Sequence, residues 1–448
     1  MVFKAKTLDL SEDIKTTFPY SLPSSPESTI CLPLHHSCTR SIAVRVAAGV
    51  SQIFTAPRLE PACQEKQLRR FTYQELEIAT GNFSKENVVG QGGFGTVYKG
   101  RLSCGYPVAV KILKPVSLQG MAQFRAEVQV GKMVTHRNVV SLIGFCEMTA
   151  ESNQLLLVYP FMENGSLSSR LNKHAAESQS PLDWGTRKRI ALGVARGLSY
   201  LHDHCFLRII HRDIKPSNIL LDENLEPRIG DFGLAKFMDH KLQAGLSNQM
   251  PDHMAGIRSG SQIKQHSGEL LDNHSERMTN RIVGTYGYMA PEYVLEGRYS
   301  PKTDVFAYGI MLLELISGCS FVKLRLLANS EDNVWLPLDW VKQLVDARNF
   351  DRIIDSIMRC NYSESEIEKL IKLSVICNQF HSPAKRPNMS EVVGILEGSS
   401  DSLDNRWEEL QQNREESAYR PEFWSSHSGR VFEDTASHLD PEELSGPR

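Results

Sequence analysis

The sequence lacks a long apolar run, and this absence argues against a membrane-spanning protein. Its best candidate stretch, residues 42–56, is interrupted by Arg45, Ser51 and Gln52, well short of the roughly 20 apolar residues of a spanning helix. Acidic residues follow the basic start of the chain, where a signal peptide would need an apolar core. Val2 stands where N-myristoylation requires glycine. We therefore expect no membrane span in this chain.

The sequence also lacks a charge excess and a cysteine pattern. The formal net charge of −3 provides no strong attraction for nucleic acid or for an anionic membrane surface. The nine cysteines are odd in number and contain no C-x-x-C pair, so they do not indicate a disulfide framework or a zinc site. We expect a reduced, cytoplasmic protein without a nucleic-acid partner.

The composition changes near residue 66. Residues 1–66 are rich in Ser, Pro and Thr, show no sustained period, and are predicted to be disordered. Residues 67–85 are predicted to contain a lead-in helix, because apolar residues recur at helical spacing and Thr72 with Glu75 forms a capping box. Gly81 and Asn82 are expected to end that helix.

A glycine-rich segment follows, in which Gly90, Gly92 and Gly95 form G-x-G-x-x-G. Dinucleotide-binding folds use the same letters, but there the loop opens a helix. Here the β-branched and aromatic residues 96–98 predict a second strand, so the loop connects two strands and covers phosphates. The predicted nucleotide contacts of this segment are Gly90, Gln91, Gly92, Gly93, Phe94, Gly95 and Val97.

The next strand, residues 107–113, carries Lys111 in a V-A-x-K pattern. Lys111 could be a solvated edge lysine, but the glycine loop before it favours a ligand of the α- and β-phosphates. Residues 123–134 are predicted to form a helix whose Glu127 holds Lys111 in an ion pair.

A buried strand at residues 155–162 leads into a predicted hinge. The carbonyl of Pro160 and the N–H of Met162 can supply the acceptor and donor that adenine needs. We also predict Ala109 and Leu220 as nucleotide contacts.

Residues 210–218 form the centre of the predicted chemistry. Asp213 and Asn218 have the spacing of H-R-D-x-x-x-x-N, and Asp231 begins D-F-G. We predict that Asp213 orients the substrate hydroxyl and accepts its proton, while Lys215 stabilises the γ-phosphate charge and suits serine or threonine acceptors. Asn218 and Asp231 are predicted to hold Mg²⁺ through oxygen ligands.

Further along, Glu292 closes an A-P-E motif. Arg386 is predicted to be its buried partner, although either residue could be a surface charge. In the acidic tail, residues 405–416 could form a helix that docks on the large lobe or one that frays in solvent; the sequence leaves both possibilities open.

With these motifs, the chain resembles plant receptor-like serine/threonine kinases. It is most similar to the somatic embryogenesis receptor kinases, which are leucine-rich-repeat co-receptors. The resemblance covers roughly residues 60–448 and includes the lead-in segment 71–84 and segments 157–162, 201–205, 339–342, 389–393, 406–409 and 445–448. It implies an α+β bilobal kinase fold, with a small, mostly antiparallel β N-lobe at 86–162 that has one key helix. A larger, mostly α C-lobe at 163–398 and an acidic tail at 399–448 complete the expected organisation.

The resemblance also implies a set of ligands and partners. The expected ligands are ATP and Mg²⁺. The expected partners are protein substrates, including the chain itself, and other receptor-like kinases. Recruitment to the inner face of the plasma membrane would fit such partners.

Three departures from that family provide an alternative, a catalytically weak scaffold or decoy. No leucine-rich ectodomain precedes the kinase block. The segment from Asp231 to Glu292 is 62 residues long and contains a predicted disordered insertion at 242–275. In that segment, Thr279 and Thr285 match activating phosphothreonines of the family, whereas Asn280 replaces a further threonine.

The third departure is Gly131, one helical turn after Glu127. The family implies a bulky apolar side chain there, packed towards the Phe of D-F-G. We expect glycine to leave a void and to loosen the helix that carries Glu127.

Overall fold

A computed structural model describes residues 66–92, 95–113, 118–147, 154–172, 180–238, 276–332, 337–358, 362–380, 382–399 and 401–412. Residues 1–65, the insertion predicted at 242–275 and the tail beyond residue 412 lie outside this part. The domain boundaries proposed from the sequence therefore stay predictions.

The N-terminal half of the described chain forms a six-stranded sheet. Its strands are β1 (Arg69–Arg70), β2 (Val88–Gly92), β3 (Gly95–Arg101), β4 (Pro107–Leu113), β5 (Gly144–Cys146) and β6 (Leu156–Pro160). They lie in the order β1-β5-β6-β4-β3-β2, and every pair is antiparallel except β1 with β5. The β-branched residues Val108, Val110 and Ile112 recur at every second position of β4 and lie in one apolar cluster, which explains why this segment forms a strand with one face towards the core.

Two helices accompany the sheet. Helix α1 (Tyr73–Ala79) begins at the predicted capping box, in which Thr72 and Glu75 bond each other's main chain. Helix α2 (Leu118–Met133) starts five residues before the predicted position and carries Glu127. Phe124 and Val128 of α2 are buried with residues of the sheet, and this apolar contact fixes the helix against the strands.

The C-terminal half is mostly helical. Its helices are α3 (Leu167–Leu171), α4 (Trp184–Ser199), α5 (Pro291–Glu296), α6 (Pro301–Ser317), α7 (Phe321–Asp332), α8 (Pro337–Asp346), α9 (Glu364–Cys377), α10 (Met389–Glu397) and α11 (Asp401–Gln412). Helix α6 is buried over nearly its whole length and forms the axis of this core. The predicted bilobal α+β architecture is confirmed.

Short elements complete this half and position the loops of the site. The strands are β7 (Ile209–Ile210), β8 (Ile219–Leu221), β9 (Pro227–Ile229), β10 (Lys236–Phe237), β11 (Arg277–Met278) and β12 (Arg298–Tyr299). They pair antiparallel as β7–β10, β8–β9 and β11–β12. A π-helical turn, Tyr200–His204, extends α4, and 3₁₀ turns occur at Pro216–Asn218, Phe232–Leu234, Phe350–Arg352, Ser356–Met358 and Pro383–Lys385. In the N-terminal half, a 3₁₀ turn at Lys85–Asn87 precedes β2.

The described part of the tail is a docked helix. In α11, Leu403 and Trp407 are buried in the same core as α6, and Arg406 donates a hydrogen bond to the Lys385 carbonyl. The structure thus favours docking over fraying, although the helix begins four residues earlier than predicted.

Among the described helices, none is long and apolar enough by itself to cross a membrane. Pro301–Ser317 and Phe321–Asn329 satisfy that criterion only together, as a pair bent by 76°.

Candidate active site

A cavity of about 620 Å³ opens between the sheet and the helical half, a size typical of small-molecule sites. Many of the residues predicted from the sequence line it: Gly90, Val97, Ala109, Lys111, Glu127, Pro160, Met162, Asn218, Leu220 and Asp231. Gln91, Gly92 and Gly95 are not among its lining residues, and Gly93 and Phe94 lie outside the described part of the chain.

Gly95 has a structural reason to be glycine. Its φ is +146°, and a Cβ there would lie 2.0 Å from the carbonyl oxygen of Ile112 on the adjacent strand. No side chain fits this contact, so the close pairing of β3 with β4 depends on this glycine. The sequence-based reason, close approach to a phosphate, is therefore not the only one that applies here.

Lys111 bridges two carboxylates at the back of the cavity. Its Nζ lies 3.1 Å from Oε1 of Glu127 and 2.7 Å from Oδ1 of Asp231. Burial lowers the pKa of Lys111, but the two carboxylates outweigh it and raise that pKa, so the ammonium stays charged. Burial likewise opposes ionisation of Asp231, but Lys111 keeps the pKa of this carboxyl below its usual range. The predicted Lys111–Glu127 ion pair is present.

Tyr159, which belongs to none of the sequence motifs, holds the other oxygen of Glu127. Its hydroxyl donates to Oε2 of Glu127 over 2.7 Å. Burial raises the pKa of Glu127, and the bonds from Lys111 and Tyr159 offset only part of that effect. One sequence signal was available, since Tyr159 is the one side chain with a polar group in the apolar run 155–159.

The prediction that Gly131 leaves a void is wrong. A Cβ at this position would lie 2.6 Å from Cβ and 2.7 Å from Cδ2 of Leu142, whose side chain occupies the space. Leu142 is almost fully buried in the cluster that joins α2 to the sheet. The missing side chain is thus replaced from outside the helix, and Gly131 provides no reason to expect a loosened α2.

Asp304, in the first turn of α6, anchors the main chain of the loop that carries Asp213. Asp304 accepts the main-chain N–H groups of His211 and Arg212, each over 2.8 Å, and pairs with His202 Nε2 at 2.9 Å. Burial raises the pKa of Asp304, but these donors more than compensate and lower it. Arg212 has φ +70°, a left-handed conformation that this anchoring helps to hold.

Asp213 is buried and surrounded by donors. Its Oδ1 accepts from the Thr285 hydroxyl over 2.6 Å, while Oδ2 lies 3.0 Å from both Lys215 Nζ and Asn218 Nδ2. Lys215 also donates to the Thr285 hydroxyl. The three predicted residues of this loop are therefore in mutual contact, and Thr285 joins them.

The predicted metal ligands fit a hard cation. Asn218 and Asp231 both line the cavity, and both have oxygens of the type that Mg²⁺ prefers. Asp231 has φ +64°, a left-handed backbone conformation that is unusual for a residue other than glycine. Its Oδ1 accepts a hydrogen bond from Lys111 Nζ. The described residues contain no cluster of three or more His, Cys, Asp or Glu that could hold a metal.

Tyr288 and Glu314 fix the segment that carries Thr285, and neither role was predicted. The Tyr288 hydroxyl lies 2.9 Å from both carboxylate oxygens of Glu314, and the Phe321 N–H also donates to that carboxylate. Burial raises the pKa of Glu314 to about 7, although these two donors partly oppose the shift.

The predicted buried ion pair of the A-P-E motif is present. Arg386 contacts both carboxylate oxygens of Glu292, at 2.6 and 2.9 Å, and is fully buried. Of the alternatives left open by the sequence, the paired arrangement is the one observed.

Comparison with known proteins agrees with this geometry. A protein-family model described as the protein kinase domain matches residues 83–394 of the sequence. The chain is 43% identical over 386 residues to the LRR receptor kinase SERK2 of Oryza sativa subsp. japonica, covering 85% of this chain and 56% of that protein.

A second relative, a probable LRR receptor-like serine/threonine-protein kinase of Arabidopsis thaliana, is 44% identical over 422 residues. That match covers 93% of this chain and 60% of the relative. The chain thus spans little more than half the length of these curated relatives.

Proposed function

Because the chain belongs to the protein kinase family, we propose that it is an ATP-dependent serine/threonine protein kinase. The observation that carries the proposal is the assembled set of charged groups: Lys111 between Glu127 and Asp231, with Asp213 beside Lys215 and Asn218. A kinase works largely by positioning and charge stabilisation, so such a set is what the reaction needs.

We assign the residues as follows. The acceptor hydroxyl oxygen attacks the γ-phosphorus, the bond to the bridging oxygen breaks, and ADP leaves. Asp213 orients the hydroxyl and takes its proton. Lys111 binds the α- and β-phosphates, and Lys215 stabilises charge on the group in transfer.

Mg²⁺ is the proposed metal cofactor, and it would neutralise phosphate charge when bound. Asn218 and Asp231 would hold it. The adenine would lie against Ala109 and Leu220, with its edge on the main chain of Pro160 and Met162, all of which line the cavity.

We propose serine and threonine hydroxyls as acceptors and other receptor-like kinases as partners. The contact of Lys215 with Thr285 and Asp213 supports the acceptor class. The partner class is supported only by the names of the relatives, both of which are LRR receptor kinases.

The test is transfer of radioactive γ-phosphate from Mg-ATP to a generic acceptor protein such as casein, followed by analysis of the phosphorylated amino acids. We expect phosphoserine and phosphothreonine from the wild type and a loss of about 100-fold or more in Asp213→Asn. Asp351→Asn, a change at an exposed carboxylate, serves as the matched control and should retain activity. Equal labelling by wild type and Asp213→Asn would contradict the proposal.

A further inference from the structure

Helix α2 packs closely at Gly131 against Leu142, two residues before β5. The site for a Cβ at this position is only 2.6 Å from Cβ of Leu142, so the helix backbone lies directly on this leucine. Cβ of Leu142 cannot rotate away from the helix, unlike the end of a long side chain. The two positions therefore share one volume, which Leu142 fills.

Leu142 is in turn held from the N-terminal side of the domain. Lys66 Nζ donates to the main-chain carbonyl of Leu142 over 2.9 Å and to the hydroxyl of Ser141. The N–H of Lys66 donates over 2.8 Å to the carbonyl of Lys132, in the last turn of α2, where helix carbonyls lack partners within the helix. One residue thus connects the end of α2 to the backbone of Leu142.

The residues after Lys66 extend this contact. Leu68 is buried in the cluster that contains Leu142. β1 then runs parallel to β5, with the Arg69 N–H bonded to the Ile143 carbonyl. A Cβ at Gly144 would lie 2.0 Å from the Arg69 carbonyl oxygen, so this edge is closely packed as well.

We propose that Leu142 and Lys66 are positioning residues for phosphoryl transfer, which hold α2, and hence Glu127, in place of the side chain that Gly131 lacks. This inference rests on the proposed function, because the benefit lies in the Glu127–Lys111 pair. Glu127 lies one turn before Gly131 on the same helix, so a shift of α2 into space opened at Leu142 would change the position of Glu127 relative to Lys111.

The test exchanges the volumes at the two positions in the full chain. Leu142→Ala opens the space and should lower kcat/KM for ATP about tenfold, mainly through KM, because small displacements of positioning groups have large effects on rate. The double change Gly131→Leu with Leu142→Ala refills the volume from the helix side, and we expect it to recover most of that loss. Gly131→Leu alone overfills the site and should be worse than the double variant.

Two controls separate positioning from general stability. Leu76→Ala truncates a buried leucine of a different cluster, on α1, and should lower the thermal midpoint without changing KM for ATP. Lys66→Ala should raise KM for ATP a few-fold, about threefold, whereas Lys85→Ala, at an exposed lysine, should not. Lys66→Ala should also raise KM for ATP by a smaller factor in the Gly131→Leu, Leu142→Ala double variant than in the wild type.

The inference is overturned if Leu142→Ala changes KM no more than Leu76→Ala, if the double variant is no better than Leu142→Ala, or if Lys66→Ala matches Lys85→Ala. If the wild type transfers no phosphate at all, the proposed function fails separately. In that case, the thermal midpoints of the wild type, Gly131→Leu, Leu142→Ala and the double variant test the packing alone. Effects on the midpoint that do not add support a shared volume, and additive effects refute it.

Discussion

At the scale of single residues, the proposed phosphoryl transfer depends on charges held by specific donors. Lys111 has two carboxylate partners, and Asp213 has three donors within 3.0 Å. Charged groups buried without partners would be costly, so these contacts stabilise the arrangement of the site. Glu127 likewise has two donors, because Lys111 donates to its Oε1 and the Tyr159 hydroxyl donates to its Oε2.

Tyr159→Phe should weaken the use of ATP while leaving the fold intact. The change removes one hydrogen bond to a buried carboxylate, an interaction worth about 1.5–3 kcal/mol. We expect KM for ATP to rise about tenfold or more, since about 1.4 kcal/mol corresponds to a factor of ten. Steady-state kinetics at varied ATP measure this, with Tyr106→Phe, at a half-exposed tyrosine, as the control. An unchanged KM would show that the Tyr159 hydroxyl is not needed to position Glu127.

The residues that could be predicted from the sequence are those whose chemistry follows local spacing. Asp213 and Asn218 are five positions apart, and Lys111 lies in a recognisable strand pattern. In contrast, Tyr159 with Glu127 and Leu142 with Gly131 are pairs made by tertiary packing. Their partners are set by how α2 lies on the sheet, and no local pattern encodes that distance.

At the scale of elements, the segment carrying Thr285 is fastened to α6 by a buried carboxyl group. Glu314 accepts from Tyr288, which is three residues after Thr285, and from the main chain at the start of α7. Gly287, with φ +93°, allows the backbone to pass close to the Phe321 ring. One acidic group thus connects the Asp213 environment to two helices.

Glu314 should make stability depend on pH. The folded protein retains the proton of this group up to about pH 7, whereas the unfolded chain loses it near the ordinary value of 4.5. Between these values the unfolded state binds fewer protons, so the contribution of Glu314 to stability is present below pH 4.5 and is lost as pH rises through 7. Relative to Glu314→Gln, the wild type should lose on the order of 2–3 kcal/mol between pH 5 and pH 8.

Urea unfolding of wild type and Glu314→Gln at both pH values measures that difference. Glu364→Gln, at an exposed glutamate, controls for the loss of a carboxyl group in general. A wild-type–variant difference that stays constant from pH 5 to pH 8 would refute the assignment.

At the scale of the whole molecule, the large lobe is closed by elements far apart in the sequence. The Arg386–Glu292 pair joins the A-P-E segment to the region before α10. Helix α11 packs Trp407 and Leu403 into the same core as α6. The bilobal architecture could be predicted from the order of motifs, but the docking of α11 could not, because an amphipathic pattern does not name the surface that it covers.

Trp407→Ala should destabilise the large lobe by about 3 kcal/mol, since truncation of a buried aromatic residue removes apolar contact and leaves a cavity. Equilibrium unfolding in urea measures the change. Asn405→Ala, on the exposed side of the same helix, should have little effect. Equal effects of the two substitutions would mean that α11 does not belong to the folded core.

The most direct test of the central claim is the intact mass of the full chain after incubation with Mg-ATP, for protein first treated with a phosphatase that is then removed. We predict that the wild type gains phosphate groups and that Asp213→Asn, treated in parallel, gains none. A wild-type mass that does not change, or an equal gain in both proteins, would contradict the proposal that this chain, through Asp213, transfers phosphate to protein hydroxyls.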